Sequence, residues 1–220
     1  KKYSIEKNLF QVTIKETGAE LCSIKSKNTG KEYIWKGTPE VWAAHAPNLF
    51  PVIGCLKGGG FLYNGEEYKC PKHGFFRKND EVALIEKTSS SLSFGLKYSD
   101  ATLEVYPFKF EIHIRFILSE NTVQVAHEVF NHGEEPMLFS LGGHPAFTCP
   151  LNDGEVYSDY FLEFEKKETS ETWQVQKDGL IAKKPLPFLK NSSVINLEPH
   201  LFDNDALVFK NLNSSRVSLK

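Results

Sequence analysis

The chain has 220 residues, of which 40% are hydrophobic, and its formal net charge is −2. The length allows one large domain, and the charge gives no sign of the basic face that nucleic-acid binding usually requires. No apolar run approaches the ~20 residues of a membrane span, and the N-terminal residues show no apolar signal segment. We therefore expect a folded protein whose partner is neither a nucleic acid nor a membrane.

The first third of the chain contains short segments that are typical of β-strands. Residues 12–14, 18–24 and 33–35 are bounded by Gly, Asn, Pro or Lys, as strands usually are. Pro39–Trp42 is compatible with a short helical turn. In residues 61–68, an Asn-Gly pair between two aromatic-bearing arms predicts a β-hairpin.

The clearest strand covers residues 108–116, where apolar and polar side chains alternate. The apolar positions on one face are Phe108, Phe110, Ile112, Ile114 and Phe116. A similar alternation extends over residues 123–129, where His127 is expected to be a hydrogen-bonded core residue rather than a catalyst.

Further strands are predicted in the C-terminal part, with Pro185 and Pro187 marking a connection between them. They cover residues 161–165, 173–175, 194–197, 206–209 and 217–220. Many short strands and no long amphipathic helix predict an all-β fold, a large antiparallel β-sandwich, as a single domain over residues 1–220. Because the last residues are typical of an unfinished strand, we expect this domain to lack its C-terminal strands.

The four cysteines lie far apart without a paired spacing. This usage is typical of reduced thiols and predicts a cytoplasmic protein. A zinc site is the alternative, because Cys70 and His73 are separated by two residues, and His144 and Cys149 by four. A proline interrupts each pair, so we expect no metal.

Two elements of the chain place a histidine beside glycine and aromatic residues. Residues 140–147 (Ser-Leu-Gly-Gly-His-Pro-Ala-Phe) present His144 on a turn stiffened by the following proline. Residues 72–77 (Lys-His-Gly-Phe-Phe-Arg) present His73 in a similar setting. Each histidine can exchange a proton near neutral pH, although a histidine that satisfies the local backbone remains the alternative for either turn.

Two histidines and a carboxylate suit the interconversion of sugar anomers. The reaction removes a proton from the C1 hydroxyl and protonates the ring oxygen, so the ring opens and recloses. Each proton transfer typically gains 10²–10⁴-fold from a positioned acid or base. Phe75, Phe76 and Phe147 are available to pack on the apolar face of a sugar, or to form ordinary core.

Five segments in this order resemble the aldose 1-epimerase (galactose mutarotase) family, and most closely its LacX-like branch. They are residues 46–54, 72–77, 106–108, 140–147 and 204–209. The resemblance implies a β-supersandwich, an isomerase that interconverts the α and β anomers of a hexose or related sugar, a small sugar substrate, and neither a metal nor an organic cofactor.

The resemblance also implies roles for individual residues. His144 is implied as the general acid on the ring oxygen, and His73 as a second catalytic histidine in contact with the substrate. Asp205 resembles the substrate-binding aspartate of the family, with Asp203 as a close neighbour. Phe147 is a further candidate for substrate binding, because its aromatic ring suits the apolar face of a sugar.

The sequence departs from the family pattern at two places. Cys55 stands where members of this branch often carry an arginine, and Arg77 is the cation left as a substrate-binding candidate. The catalytic base of the family is a glutamate expected beyond Lys220, because Glu198 precedes the aspartate region and so lies in the wrong order. These departures keep open two alternatives: a carbohydrate-binding module without catalysis, and a structural β-sandwich that mediates protein contacts.

Overall fold

The computed structural model describes residues 1–220, which form two compact units, Lys1–Thr148 and Cys149–Lys220. The first unit is almost entirely β. Its elements are the strands β1 Lys2–Lys7, β2 Phe10–Lys15, β3 Glu20–Ser26, β4 Asn48–Leu49, β5 Gly60–Tyr63, β6 Glu66–Lys69, β7 Ala83–Lys87, β8 Ser91–Lys97, β9 Phe110–Leu118, β10 Val123–Asn131 and β11 Gly142–Gly143, and the short helix α1 Asp100–Leu103.

Two antiparallel sheets supply the core of the first unit. One has the order β1-β2-β3, and the other has the order β10-β9-β8-β7. In β9 every second side chain is buried, from Phe110 to Leu118, so burial follows the alternation in the sequence. The predicted strand is therefore confirmed, and its observed bounds are shifted two residues toward the C-terminus.

The predicted hairpin is confirmed by the pairing of β5 with β6. Asn64 and Gly65 form its turn with φ values of +51° and +85°. Positive φ at both central positions is the requirement of a type I′ turn, which Asn-Gly satisfies at little cost.

The second unit contains β12 Phe161–Thr172, β13 Leu186–Asn196 and β14 Val217–Leu219, in the order β13-β12-β14. Its small core is formed by Phe164, Leu189 and Ile195. Three sequence expectations are wrong here. Pro187 lies inside β13, where the pairing with β12 is irregular. Residues 173–175 and 206–209 form isolated bridges instead of strands, Trp173 with Val208 and Val175 with Ile181.

Two further observations bear on membranes and metals. None of the helices combines the length and apolar character needed to cross a membrane. No group of three or more His, Cys, Asp or Glu side chains is gathered as a metal ion would require. The four cysteines are free thiols.

Candidate functional site

His144 extends from a short backbone pairing between β11 and β4. Gly142 pairs with Leu49 and Gly143 with Asn48, and the His144 backbone N–H donates to the Pro47 carbonyl at 3.0 Å. The residue itself is exposed. The backbone leading to His144 is thus fixed on the segment around β4, while its imidazole remains open to a ligand.

His73 is held in an unusual backbone conformation by Gly54. Its φ is +68°, a left-handed value that non-glycine residues rarely adopt. The His73 backbone N–H donates to the Gly54 carbonyl at 2.9 Å, and the Gly54 N–H donates to Nδ1 of His73 at 3.0 Å. Because a backbone N–H can only donate, Nδ1 is an acceptor and the neutral ring carries its proton on Nε2. His73 therefore presents a hydrogen-bond donor at Nε2.

The imidazoles of His73 and His144 lie side by side, and an indole packs against that of His144. The ring centroids of His73 and His144 are 5.8 Å apart, with the planes at 76°. The ring of Trp42 packs against His144 with a centroid separation of 5.1 Å. We call His73, His144 and Trp42 the three-ring cluster. It places two groups capable of proton exchange next to one apolar wall.

Hydrogen bonds fix the loop that presents Trp42. The Trp42 N–H donates to the Thr38 carbonyl at 2.8 Å, and its own carbonyl accepts from Nε1 of Trp35 at 2.8 Å. Nδ1 of His45 donates to the Trp35 carbonyl at 2.7 Å. The expected turn over Pro39–Trp42 is present, but its sequence does not indicate that Trp42 meets His144, because that contact is long-range.

A buried amide anchors β4 beneath the glycine pair. Asn48 is 3% exposed, and its Nδ2 donates to the carbonyls of Gly18 at 3.2 Å and Ala19 at 2.8 Å. Its Oδ1 lies 3.0 Å from Nε2 of His127 on β10. Burial lowers the pKa of His127 below its usual range, which favours the neutral ring. His127 is therefore hydrogen-bonded and half-buried, as the alternation in its strand suggests.

A buried carboxylate anchors the same segment from β3. Glu20 is 2% exposed and accepts from the backbone N–H groups of His45 at 2.7 Å and Ala46 at 3.3 Å. Its other oxygen pairs with Nζ of Lys15. Neither Glu20 nor Asn48 is predicted as important from the sequence, because each acts through backbone groups that are distant in the chain.

Arg77 follows His73 closely in the chain but belongs to a different local element. It lies half-buried in the 3₁₀ turn Phe76–Lys78. Phe76 is fully buried, and Phe75 packs against the rings of Phe50, Tyr106 and Phe110. These two aromatic residues are part of the core, which was the alternative interpretation of them.

Phe147 lies in a separate apolar groove of about 460 Å³. The lining of the groove includes Tyr33, Val125 and Pro145 but neither histidine of the three-ring cluster. Successive side chains of an extended segment point to opposite sides, and Phe147 is three positions from His144. The aromatic ring that the structure brings to His144 is that of Trp42.

Asp205 belongs to the second unit. It is exposed, has a φ of +71°, and accepts the backbone N–H of Ala206 on Oδ1 at 2.7 Å. Asp203 is instead bonded to Nδ1 of His200 at 2.9 Å. The neighbouring aspartates thus differ, since the Asp203 carboxylate is paired with a side chain and that of Asp205 bonds to local backbone.

Comparison with known proteins gives consistent relationships. A sequence model of the family described as Aldose 1-epimerase matches residues 1–220. The protein named "Protein LacX, plasmid" from Lactococcus lactis subsp. lactis is 34% identical over 224 residues, covering 98% of this chain and 74% of that protein.

Two solved structures share the fold at a TM-score of 0.92. A galactose mutarotase related enzyme from Lactobacillus acidophilus is 36% identical, and the match covers 100% of this chain and 73% of that one. A galactose mutarotase-like protein from Lactobacillus casei is 26% identical, and the match covers 100% of this chain and 75% of that one. The all-β prediction is confirmed, with galactose mutarotase-like proteins as its structural relatives.

Proposed function

This chain belongs to the aldose 1-epimerase family, and on that premise we propose that it interconverts the α and β anomers of a hexose or a related aldose. The observation that carries the proposal is the 5.8 Å separation of the His73 and His144 rings. The two histidines come from distant parts of the chain, and the fold brings them side by side.

In the proposed reaction, His144 protonates the ring oxygen of the sugar. Opening the pyranose breaks the bond between C1 and the ring oxygen, which takes a proton as the C1 hydroxyl loses one. Rotation about the bond between C1 and C2 followed by reclosure gives the other anomer. The exposed imidazole of His144 on its fixed backbone supplies the proton, then recovers it when the ring closes.

His73 is assigned to orient the sugar beside His144. Its Nε2–H is a hydrogen-bond donor because Nδ1 is occupied by the Gly54 N–H. A donor fixed near the ring oxygen also stabilises the negative charge that develops there. Arg77 is proposed as a further substrate contact, and Trp42 supplies the apolar wall next to His144. For Asp205, substrate binding stays what the family resemblance implies.

The experiment follows the equilibration of freshly dissolved α-glucose and α-galactose by polarimetry, with hexose phosphates in the same panel. The family resemblance implies a glutamate as the base for the C1 hydroxyl, so the full-length protein is assayed. We expect a rate above buffer for at least one sugar. A folded protein with no rate above buffer for any of them contradicts the proposal. Saturable sugar binding without a rate would instead support a carbohydrate-binding module.

A further inference from the structure

We propose that His127 is a positioning residue for His144 and acts through the side-chain amide of Asn48. The proposal rests on the proposed function, because it assigns a role in the reaction of His144. It adds a residue that the family resemblance does not imply and that contacts neither His73 nor the ring of His144 in the described contacts.

The direction of the hydrogen bond between His127 and Asn48 follows from the other partners of the amide. Nδ2 of Asn48 has two protons, and they are donated to the carbonyls of Gly18 and Ala19. The remaining atom, Oδ1, can only accept, so Nε2 of His127 must donate to it across 3.0 Å. The amide is therefore held in one orientation by three bonds, one of which comes from β10.

Asn48 connects this bond to the catalytic candidate through its backbone. Asn48 pairs with Gly143, the residue before His144, and the preceding carbonyl, that of Pro47, accepts the His144 N–H at 3.0 Å. The two-residue strand β4 is thus the support on which the His144 backbone lies. A shift of Asn48 moves the groups that determine where the imidazole points.

Removing the Nε2–H donor of His127 leaves Oδ1 of Asn48 without a hydrogen-bond partner. Asn48 is 3% exposed, so water has little access to Oδ1. A buried acceptor without a partner is unfavourable, and rotation of the amide to find another partner would break its bonds to Gly18 or Ala19. We expect β4 to relax and the imidazole of His144 to lose its alignment. Misplacement of a reacting group by about 1 Å can lower a rate by about 10²-fold.

The experiment compares His127→Leu, which removes the donor, with His127→Gln, which restores an N–H at a similar reach. His113→Leu is the matched control, because His113 is half-buried on the neighbouring strand β9 and bonded to Glu111, outside the Asn48 network. Mutarotation kinetics and the NMR signals of the Gly143 amide and the His144 ring are measured for each variant. His127→Met serves as the second apolar variant if His127→Leu does not fold.

The expected result is a fall in kcat of about 10- to 100-fold for the apolar variant, with KM changed less than about twofold. His127→Gln is expected to recover most of the rate, and the Gly143 and His144 signals are expected to shift in His127→Leu but not in His113→Leu. Unchanged kcat with unchanged signals overturns the proposal, as does an equal loss in His113→Leu or a loss that glutamine does not restore. If the wild-type protein has no mutarotase activity, the proposed function fails, and the NMR signals alone decide whether His127 positions His144.

Discussion

At the scale of single residues, the neighbours of each imidazole determine what that imidazole can do. The Gly54 N–H occupies Nδ1 of His73 and so directs the proton of the neutral ring to Nε2. The His144 ring is bordered by Trp42 and His73 and is otherwise exposed. Two identical side chains thereby differ in the hydrogen bonds and ring contacts that surround them.

Two replacements of His73 separate the contribution of its Nε2–H donor from that of its left-handed backbone conformation. Asparagine tolerates a φ of +68° and offers an oxygen in place of Nδ1, whereas it lacks the Nε2–H. We expect His73→Asn to keep the wild-type unfolding free energy and to lower the mutarotation rate at least about tenfold. His73→Val is expected to lose about 1–3 kcal/mol of stability from backbone strain alone. Urea unfolding and polarimetry on both variants make the comparison, and a fully active His73→Asn would refute the assigned role.

Trp42 is expected to contribute to substrate binding as an aromatic wall. Trp42→Leu should raise KM about 3- to 10-fold, since an aromatic contact is worth about 0.5–1.5 kcal/mol beyond its buried area. Trp42→Phe keeps a ring and should remain within about threefold of wild type. Trp173→Leu in the second unit provides the control. If Trp42→Leu and Trp173→Leu have the same KM, the wall has no role in binding.

The burial of His127 predicts a pH dependence of stability. Its pKa in the folded protein is lowered by desolvation, so the unfolded chain takes up this proton first as the pH falls. The contribution of neutral His127 is therefore complete above the unfolded pKa of about 6.5 and decreases below it, by at most about 1.4 kcal/mol per pH unit. The free energy of unfolding of wild type minus that of His127→Gln should fall from pH 7.5 to pH 5. Parallel curves for the two proteins would contradict this expectation.

At the scale of elements, local chemistry made some features predictable and others not. The Asn64–Gly65 hairpin and the alternation of β9 depend on residues adjacent in sequence, so the sequence predicts them. Pro187 lies in β13 because the pairing of β13 with β12 is irregular, and the sequence around Pro187 does not predict that irregularity. The roles of glycines are only partly predictable, because the sequence shows where a glycine lies but not which atoms approach it in the fold.

Substitutions at Gly54 and Gly74 separate the cost of a positive φ from the cost of a steric clash with a neighbouring backbone. Their φ values are +76° and +72°, but a Cβ at Gly54 would meet nothing within 4 Å, whereas one at Gly74 would lie 2.0 Å from the Phe50 carbonyl oxygen. Gly54→Ala is expected to destabilise by about 1–2 kcal/mol. Gly74→Ala should destabilise by at least about 3 kcal/mol, because the Phe50 backbone must move. Chemical denaturation measures both, and equal losses would show that the close approach is unimportant.

At the scale of the whole molecule, the sequence predicts the fold class and the family. It does not predict the residues that hold the two histidines in place. The short segments around His73 and His144 are distinctive in sequence, and the structure brings these two side chains together. Trp42, Asn48 and Glu20 were missed because their contacts with other parts of the chain exist only after folding. Each of the two units has its own hydrophobic core.

The role of His144 as general acid is tested most directly by the exchange rate between sugar anomers, measured by NMR on the full-length protein and on His144→Gln. His132→Gln is the control, because His132 is exposed and paired with Glu111. We expect His144→Gln to lose about 10²–10⁴-fold in kcat with a similar KM, whereas His132→Gln should retain the wild-type rate. A folded His144→Gln protein that exchanges anomers at the wild-type rate would show that His144 is not the general acid.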